Sequence, residues 1–264
     1  PMSVQVNPLK TNEKALVDEL RGEGVCVTPH PWVPGCLELS GTGDLTTLSA
    51  FYNGRFTVQD AAAHLIVCAA DFARGQRVLD VCAAPGGKSF AAAFAMENEG
   101  SILSCDLHEN KFKRIREGAQ RLGITCIETA AVDGRTFREE WAGRFDVVIC
   151  DVPCSGLGII RKKPETRYKD PDEIAQPPAL QSAILENCAR YVKPGGTLVY
   201  STCTILQREN EDVVRAFLAA HSEFEAAGWS HPVCGERADG MVTLLPPEHD
   251  TDGFFIAKLK RKAL

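Results

Sequence analysis

The chain has 264 residues, 44% of them apolar, a formal net charge of −6 and eleven cysteines. That length suffices for one large domain or a medium one with an appendage, and no apolar run approaches the roughly 18 residues of a membrane span. The cysteines are odd in number and scattered through strand-like runs, which points to reduced thiols and a cytoplasmic protein. Cys150 and Cys154 have neither a second close pair nor a His at zinc-finger spacing, so no metal site is expected. The acidity excludes a protein coated in positive charge, but basic clusters at 111–116, 161–163 and 258–262 keep RNA open as a partner.

In chain order, residues 1–50 predict a small α+β subdomain. Residues 4–7 alternate as a strand, 11–21 form a helix capped by Thr11 or Asn12 and stopped by Gly22 and Gly24, and short strands at 25–28 and 36–39 flank a Pro-rich turn. The opening at Pro1, with no initiator Met and almost no lead-in, suggests a piece of a longer protein. An apolar helix over 57–73, in a connecting region at 51–76, leads into a main domain at 77–264.

From Arg77 onward strand and helix alternate, which predicts a parallel sheet with helices on both faces. Strands are expected at 77–82, 101–106, 125–129, 144–151 and 197–202, with helices at 90–97, 109–122, 178–192 and 207–220. Two last strands lie near 224–229 and 253–259. The first strand runs into Cys82-Ala83-Ala84-Pro85-Gly86-Gly87-Lys88, a small-residue turn that opens a helix. It has neither dinucleotide nor P-loop spacing, yet a glycine turn at the carboxyl end of a first strand is where open α/β sheets bind nucleotide-like ligands.

Asp106 ends the second strand, Asp133 follows the third and Asp151 ends the fourth, so three carboxylates are expected along the carboxyl edge beside this turn. They would repel a phosphate and attract ribose hydroxyls, an exocyclic amine and a positive centre. S-adenosylmethionine fits that description. Cys154 follows the fourth strand and Cys203 the fifth, which puts two thiols near one pocket.

In combination, the 82–88 turn, Asp106, Asp133, Asp151-x-Pro-Cys154-Ser-Gly-x-Gly158 and Thr202-Cys203 resemble the Nop/Sun family of RNA cytosine-C5 methyltransferases. The likeness is greatest to its bacterial branch acting on 16S ribosomal RNA (Sun/Fmu/RsmB type), and it runs from about Val4 to Lys260. It implies a Rossmann-like S-adenosylmethionine-dependent methyltransferase sheet preceded by an RRM-like subdomain. It implies that residues 82–88 line the methionine part of the cofactor, Asp106 holds the ribose, Asp133 approaches the adenine and Asp151 faces both cofactor and base. Cys203 would be the nucleophile, with Cys154 assisting product release.

The chemistry asks for such groups. Cytosine C5 is a poor nucleophile until a thiolate adds to C6, and protonation or hydrogen bonding at N3 eases that addition, a task for Asp151 if burial raises its pKa. Lys88 would steady Asp151 or favour the thiolate, and Cys154 or a water would remove the C5 proton. Arg161, Lys162 and Lys163 are expected phosphate contacts, with Arg167 and Tyr168 beside them. Relatives of this branch carry a helical RNA-binding domain ahead of the small subdomain. The competing expectations are a transfer RNA or DNA cytosine methyltransferase, the latter attacking through Cys154, and a non-catalytic RNA-binding assembly factor. The absence of a long apolar helical stripe favours a monomer.

Overall fold

A computed structural model describes residues 2–263. The amino-terminal module comprises β1 (Met2–Val6), α1 (Glu13–Gly22), β2 (Cys26–Pro29), β3 (Cys36–Ser40), the short α2 (Ser49–Tyr52) and β4 (Phe56–Val58). Asn12 caps α1 by accepting the Ala15 N–H at 3.0 Å, and Leu16, Val17 and Leu20 pack under the antiparallel sheet β2-β3-β1-β4. The fourth strand lies beyond the expected boundary at residue 50. It also shortens the helix expected at 57–73 to α3 (Ala61–Ala70), because Val4 and Val6 pair with Val58 and Phe56 before Asp60 caps the helix at Ala62 N–H.

The main domain continues with β5 (Arg77–Asp80), α4 (Gly87–Ala95), β6 (Ser101–Asp106), α5 (Phe112–Leu122), β7 (Ile127–Ala131) and β8 (Phe145–Asp151). Then come α6 (Pro171–Ala175), α7 (Pro177–Tyr191), β9 (Val192–Thr202), α8 (Glu211–Ala220) and β10 (Phe224–Ala226). A hairpin of β11 (Trp229–His231) and β12 (Gly235–Arg237) precedes β13 (Met241–Leu244), α9 (Pro246–His249) and β14 (Phe254–Arg261). The sheet runs β10-β14-β9-β8-β5-β6-β7, with β13 also on β14. Strands β5 to β9 are parallel, as expected, while β10, β13 and β14 are antiparallel additions at one edge.

Two boundaries shift for local reasons. The third parallel strand begins at Ile127 because Asn98 Oδ1 accepts the Thr125 and Cys126 N–H groups, which removes them from the ladder. The expected strand at 224–229 is split: Phe224–Ala226 joins the main sheet and Trp229 starts the separate hairpin.

Helices cover both faces. Phe112, Ile115 and Leu122 of α5 pack with α3 and α4 on one side, and Ile184, Leu185, Val214 and Phe217 of α7 and α8 pack on the other. Each such buried side chain contributes about 1.5–3 kcal/mol. Asn7 joins the small module to the domain by donating to Gly54 O and Leu122 O, both at 2.8 Å.

Candidate active site

Strand β5 is central, β6 lies on one side of it and β8 on the other, so the chain reverses direction across the sheet at its carboxyl edge. That is where an open α/β sheet leaves a crevice. A cleft of about 310 Å³ opens there, lined by Val81, Cys82, Asp106, His108, Asp133, Leu180 and Ile184 among others. Asp106 Oδ1 is taken by Lys111 Nζ at 2.9 Å and the His108 N–H at 3.1 Å. Its other oxygen makes no protein hydrogen bond among the described residues. Asp133 is held below the usual carboxylate range, mainly by side-chain hydrogen bonds from Arg135.

Only two of the three expected carboxylates share that cleft. Asp151 turns instead toward Lys88, with Oδ2 2.5 Å from Nζ, and its Oδ1 accepts the Ser201 hydroxyl at 2.7 Å. Burial opposes the charge on Lys88, but Asp151 outweighs it and raises the Lys88 pKa. The expected neutral-acid role of Asp151 therefore meets a direct ion pair.

Beside this pair Cys154 Sγ lies 3.2 Å from Cys203 Sγ. The hydrogen bond from Cys154 lowers the Cys203 pKa and Lys88 adds to the shift, against burial and Asp151. The same contact, with burial, pushes Cys154 up. The two sulfurs are within hydrogen-bond reach of each other, and Cys154 as donor would favour the thiolate on Cys203. Cys154 also faces a second cleft of about 330 Å³, which shares Arg135, Pro153 and Leu180 with the first.

Glycine geometry shapes both walls. Gly86 adopts φ +112°, and a Cβ there would stand 2.6 Å from the Phe90 ring. A Cβ at Gly158 would lie 2.0 Å from Gly253 O, because the Gly158 N–H donates to Cys203 O at 3.0 Å and Gly253 N–H to Gly158 O at 2.8 Å. This close approach clamps the Cys154 loop onto the Cys203 loop.

The 82–88 turn divides its residues. Cys82 lines the first cleft and Ala83 is buried, whereas Pro85 and Gly87 line a separate cleft between the two modules, beside Phe51, Val58 and Arg114. The basic loop also divides. Lys162 lies 2.6 Å from both Asp60 and Asp252, and Arg161 lies 3.3 Å from Asp252. Lys163 and Arg167 make no side-chain ion pair or hydrogen bond among the described residues, and Tyr168 is 87% exposed.

Sequence reasoning did not single out Asp80. It is fully buried at the end of β5, accepts the Ser89 hydroxyl at 2.7 Å, and is pushed up to about 7 by burial. Its signal was a carboxylate at a core position of a strand. Gln181, Glu209 and Asn210, buried beneath the cysteine loops, were also missed; they sit in helical or turn segments whose pattern gives no sign of their partners.

Residues 67–260 match the family described as 16S rRNA methyltransferase RsmB/F. A probable ribosomal RNA small subunit methyltransferase B from Bacillus subtilis (strain 168) is 39% identical over 270 residues, covering 98% of this chain and 60% of the relative. The crystal structure of PH0851 is 36% identical with a TM-score of 0.94, over 98% of this chain and 59% of that one. A methyltransferase homolog protein from Pyrococcus horikoshii is 30% identical with a TM-score of 0.83, over 99% and 87% of the two chains. The chain thus spans about 60% of the length of the Bacillus relative.

Proposed function

The chain belongs to the 16S rRNA methyltransferase RsmB/F family, and on that premise we propose that it transfers a methyl group from S-adenosylmethionine to C5 of a cytosine in RNA, through a covalent adduct of Cys203 with C6. The observation that carries this reading is the Cys154–Cys203 contact at 3.2 Å beside the Lys88–Asp151 pair.

The cofactor suits the first cleft by its chemistry. Asp106 keeps one oxygen free for ribose hydroxyls, Asp133, held by Arg135 through both oxygens, lines the wall where an exocyclic amine would sit, and Leu180 and Ile184 supply apolar walls for a purine. Bound there, S-adenosylmethionine supplies an electrophilic methyl group.

The protein's own groups do the rest. Cys203 adds to C6, which makes C5 nucleophilic, while Lys88 and Asp151 share the proton that meets the base at N3. Once Cys203 is bonded to carbon it no longer accepts from Cys154, and one cause of the raised Cys154 pKa is gone. Cys154 can then give up its own proton to water, and the thiolate so formed takes the C5 proton. The Cys203–C6 bond breaks as the C5–C6 double bond re-forms, releasing Cys203 as thiolate and returning the N3 proton to the Lys88–Asp151 pair. Attack by Cys154, as a DNA methyltransferase reading requires, predicts instead an activity that Cys154→Ala abolishes and Cys203→Ala spares.

The target base must leave its stack, at a cost of a few kcal/mol that is least in unpaired RNA. Lys163, Arg167 and Tyr168 are the phosphate and stacking contacts this loop offers; Arg161 and Lys162 contribute mainly by holding the loop. Small-subunit ribosomal RNA is the substrate proposed. Mapping 5-methylcytosine by mass spectrometry after incubation with the cofactor and small-subunit, transfer and DNA substrates tests the reading. Methylation of DNA alone, or undiminished activity in Cys203→Ala, would overturn it.

A further inference from the structure

One dipeptide grips both cysteine loops, each at both flanks. Glu209 ends the short turn Gln207–Glu209 and Asn210 follows as the N-cap of α8; both are fully buried. Glu209 Oε2 accepts the Ser155 N–H at 2.9 Å and Gln181 Nε2 at 2.9 Å, and Gln181 Nε2 also donates to Pro153 O at 3.0 Å. The peptide groups on either side of Cys154 are thereby fastened to one carboxylate.

Asn210 does the same around Cys203. Its Oδ1 accepts the Thr202 hydroxyl at 2.6 Å, and its Nδ2 donates to Thr204 O at 3.1 Å. Ser155 Oγ and Thr204 Oγ1, 2.8 Å apart, join the two loops directly. Tyr200 OH donates to Glu209 O at 2.6 Å and holds the dipeptide against β9.

A buried carboxylate served by two neutral donors, with Oε1 unpartnered among the described residues, is a poor way to stabilise a core. Its use is geometric. We infer that Glu209 and Asn210 form a latch that sets the separation of Cys154 and Cys203, acting as positioning residues for the thiol chemistry proposed above, on which this inference rests. Among the described residues neither makes a hydrogen bond to a sulfur. The loops after β8 and β9 leave separate strands and, besides the sulfurs, meet directly among the described residues only through the Gly158–Cys203 and Ser155–Thr204 hydrogen bonds. The support beneath them therefore bears on the sulfur–sulfur geometry, and a thiol–thiolate hydrogen bond weakens steeply as that geometry loosens.

The test uses the full chain and reads Cys203 directly. The rate of iodoacetamide alkylation of Cys203 is followed against pH, with Cys154, Lys88 and Asp151 the groups that face it. In Glu209→Ala and Asn210→Ala the alkylation midpoint should move up by about one pH unit, and kcat should fall by on the order of 10²-fold. Affinity for S-adenosylmethionine should not change. Glu209→Gln, which keeps an acceptor for both donors, should restore the profile, whereas Asn210→Asp, which loses the donor to Thr204 O, should not.

Val214→Ala, on the buried face of α8, controls for general loosening. A profile shift there equal to that of Glu209→Ala, or an unshifted profile in Glu209→Ala and Asn210→Ala, would overturn the latch. Should Glu209→Ala fail to fold, the Asn210 variants decide the question. Shifted profiles without methyl transfer by the unaltered protein would keep the latch and overturn the function. Methyl transfer with unshifted variants would overturn the latch alone.

Discussion

Lys162 Nζ stands 2.6 Å from Asp60 Oδ2, an ion pair across 102 residues that ties the loop after Cys154 to the N-cap of α3. Asp252, almost fully buried, takes the same ammonium at 2.6 Å. Lys162→Ala should lower thermal stability by about 1–3 kcal/mol, mostly from leaving the buried Asp252 with only its longer, 3.3 Å contact to Arg161. Lys163→Ala should leave the melting temperature unchanged, weaken RNA binding, and reduce the slope of log K against log salt by about 0.7, one single-strand phosphate contact. Melting curves and salt titrations separate the two; equal stability losses would sink the division of roles.

Removing the Cys154 thiol should expose its part in activating Cys203. In Cys154→Ala the alkylation midpoint of Cys203 should rise by about one to two pH units, the worth of a hydrogen bond to a charged acceptor. Cys154→Ser, which keeps a donor, should stay near the unaltered protein. With cofactor and RNA present, Cys154→Ala should accumulate a protein–RNA adduct on denaturing gels, and Cys203→Ala should form none.

Asp80 makes stability depend on pH in a stated direction. Its folded pKa, about 7, lies above the ordinary 3.8, so the folded state binds the extra proton and stability falls as pH rises from about 4 to 7. The full loss is on the order of 4 kcal/mol. Asp80→Asn, which keeps an acceptor for Ser89, should be more stable than the unaltered protein at pH 8 and lose that advantage near pH 4. Denaturant titrations at both pH values check this, and a constant difference would contradict it.

Gly86→Ala places a methyl against the Phe90 ring in a backbone region that alanine avoids, at a cost of about 1–3 kcal/mol. Calorimetric titration with S-adenosylmethionine should show affinity falling, because the turn carries Cys82 into the cleft. Retained affinity and stability would mean that the turn has room to spare.

The parallel core of the fold was legible because strand and helix periods alternate without interruption from Arg77, and the glycine turn marks the first crossover. At the antiparallel edge β14 and the Phe224–Ala226 strand were legible, but β13 and the separate hairpin strand β12, of four and three residues, were not, since the pairing of such short segments depends on partners elsewhere in the fold. Asp106, Asp133, Asp151, Cys154 and Cys203 were legible because strand order puts strand ends on one edge, wherever their side chains then point.

What the tertiary structure alone decided is how these groups pair. The division of the carboxylates between a cleft and an ion pair with Lys88, the withdrawal of Lys162 into Asp60 and Asp252, and the hold of Glu209 on the backbone beside Cys154 all join residues far apart in the chain. Spacing along a sequence fixes which side chains share a strand end or helix face. Hydrogen bonds and ion pairs act over about 3 Å, so their partners are known only once the loops after separate strands have come together.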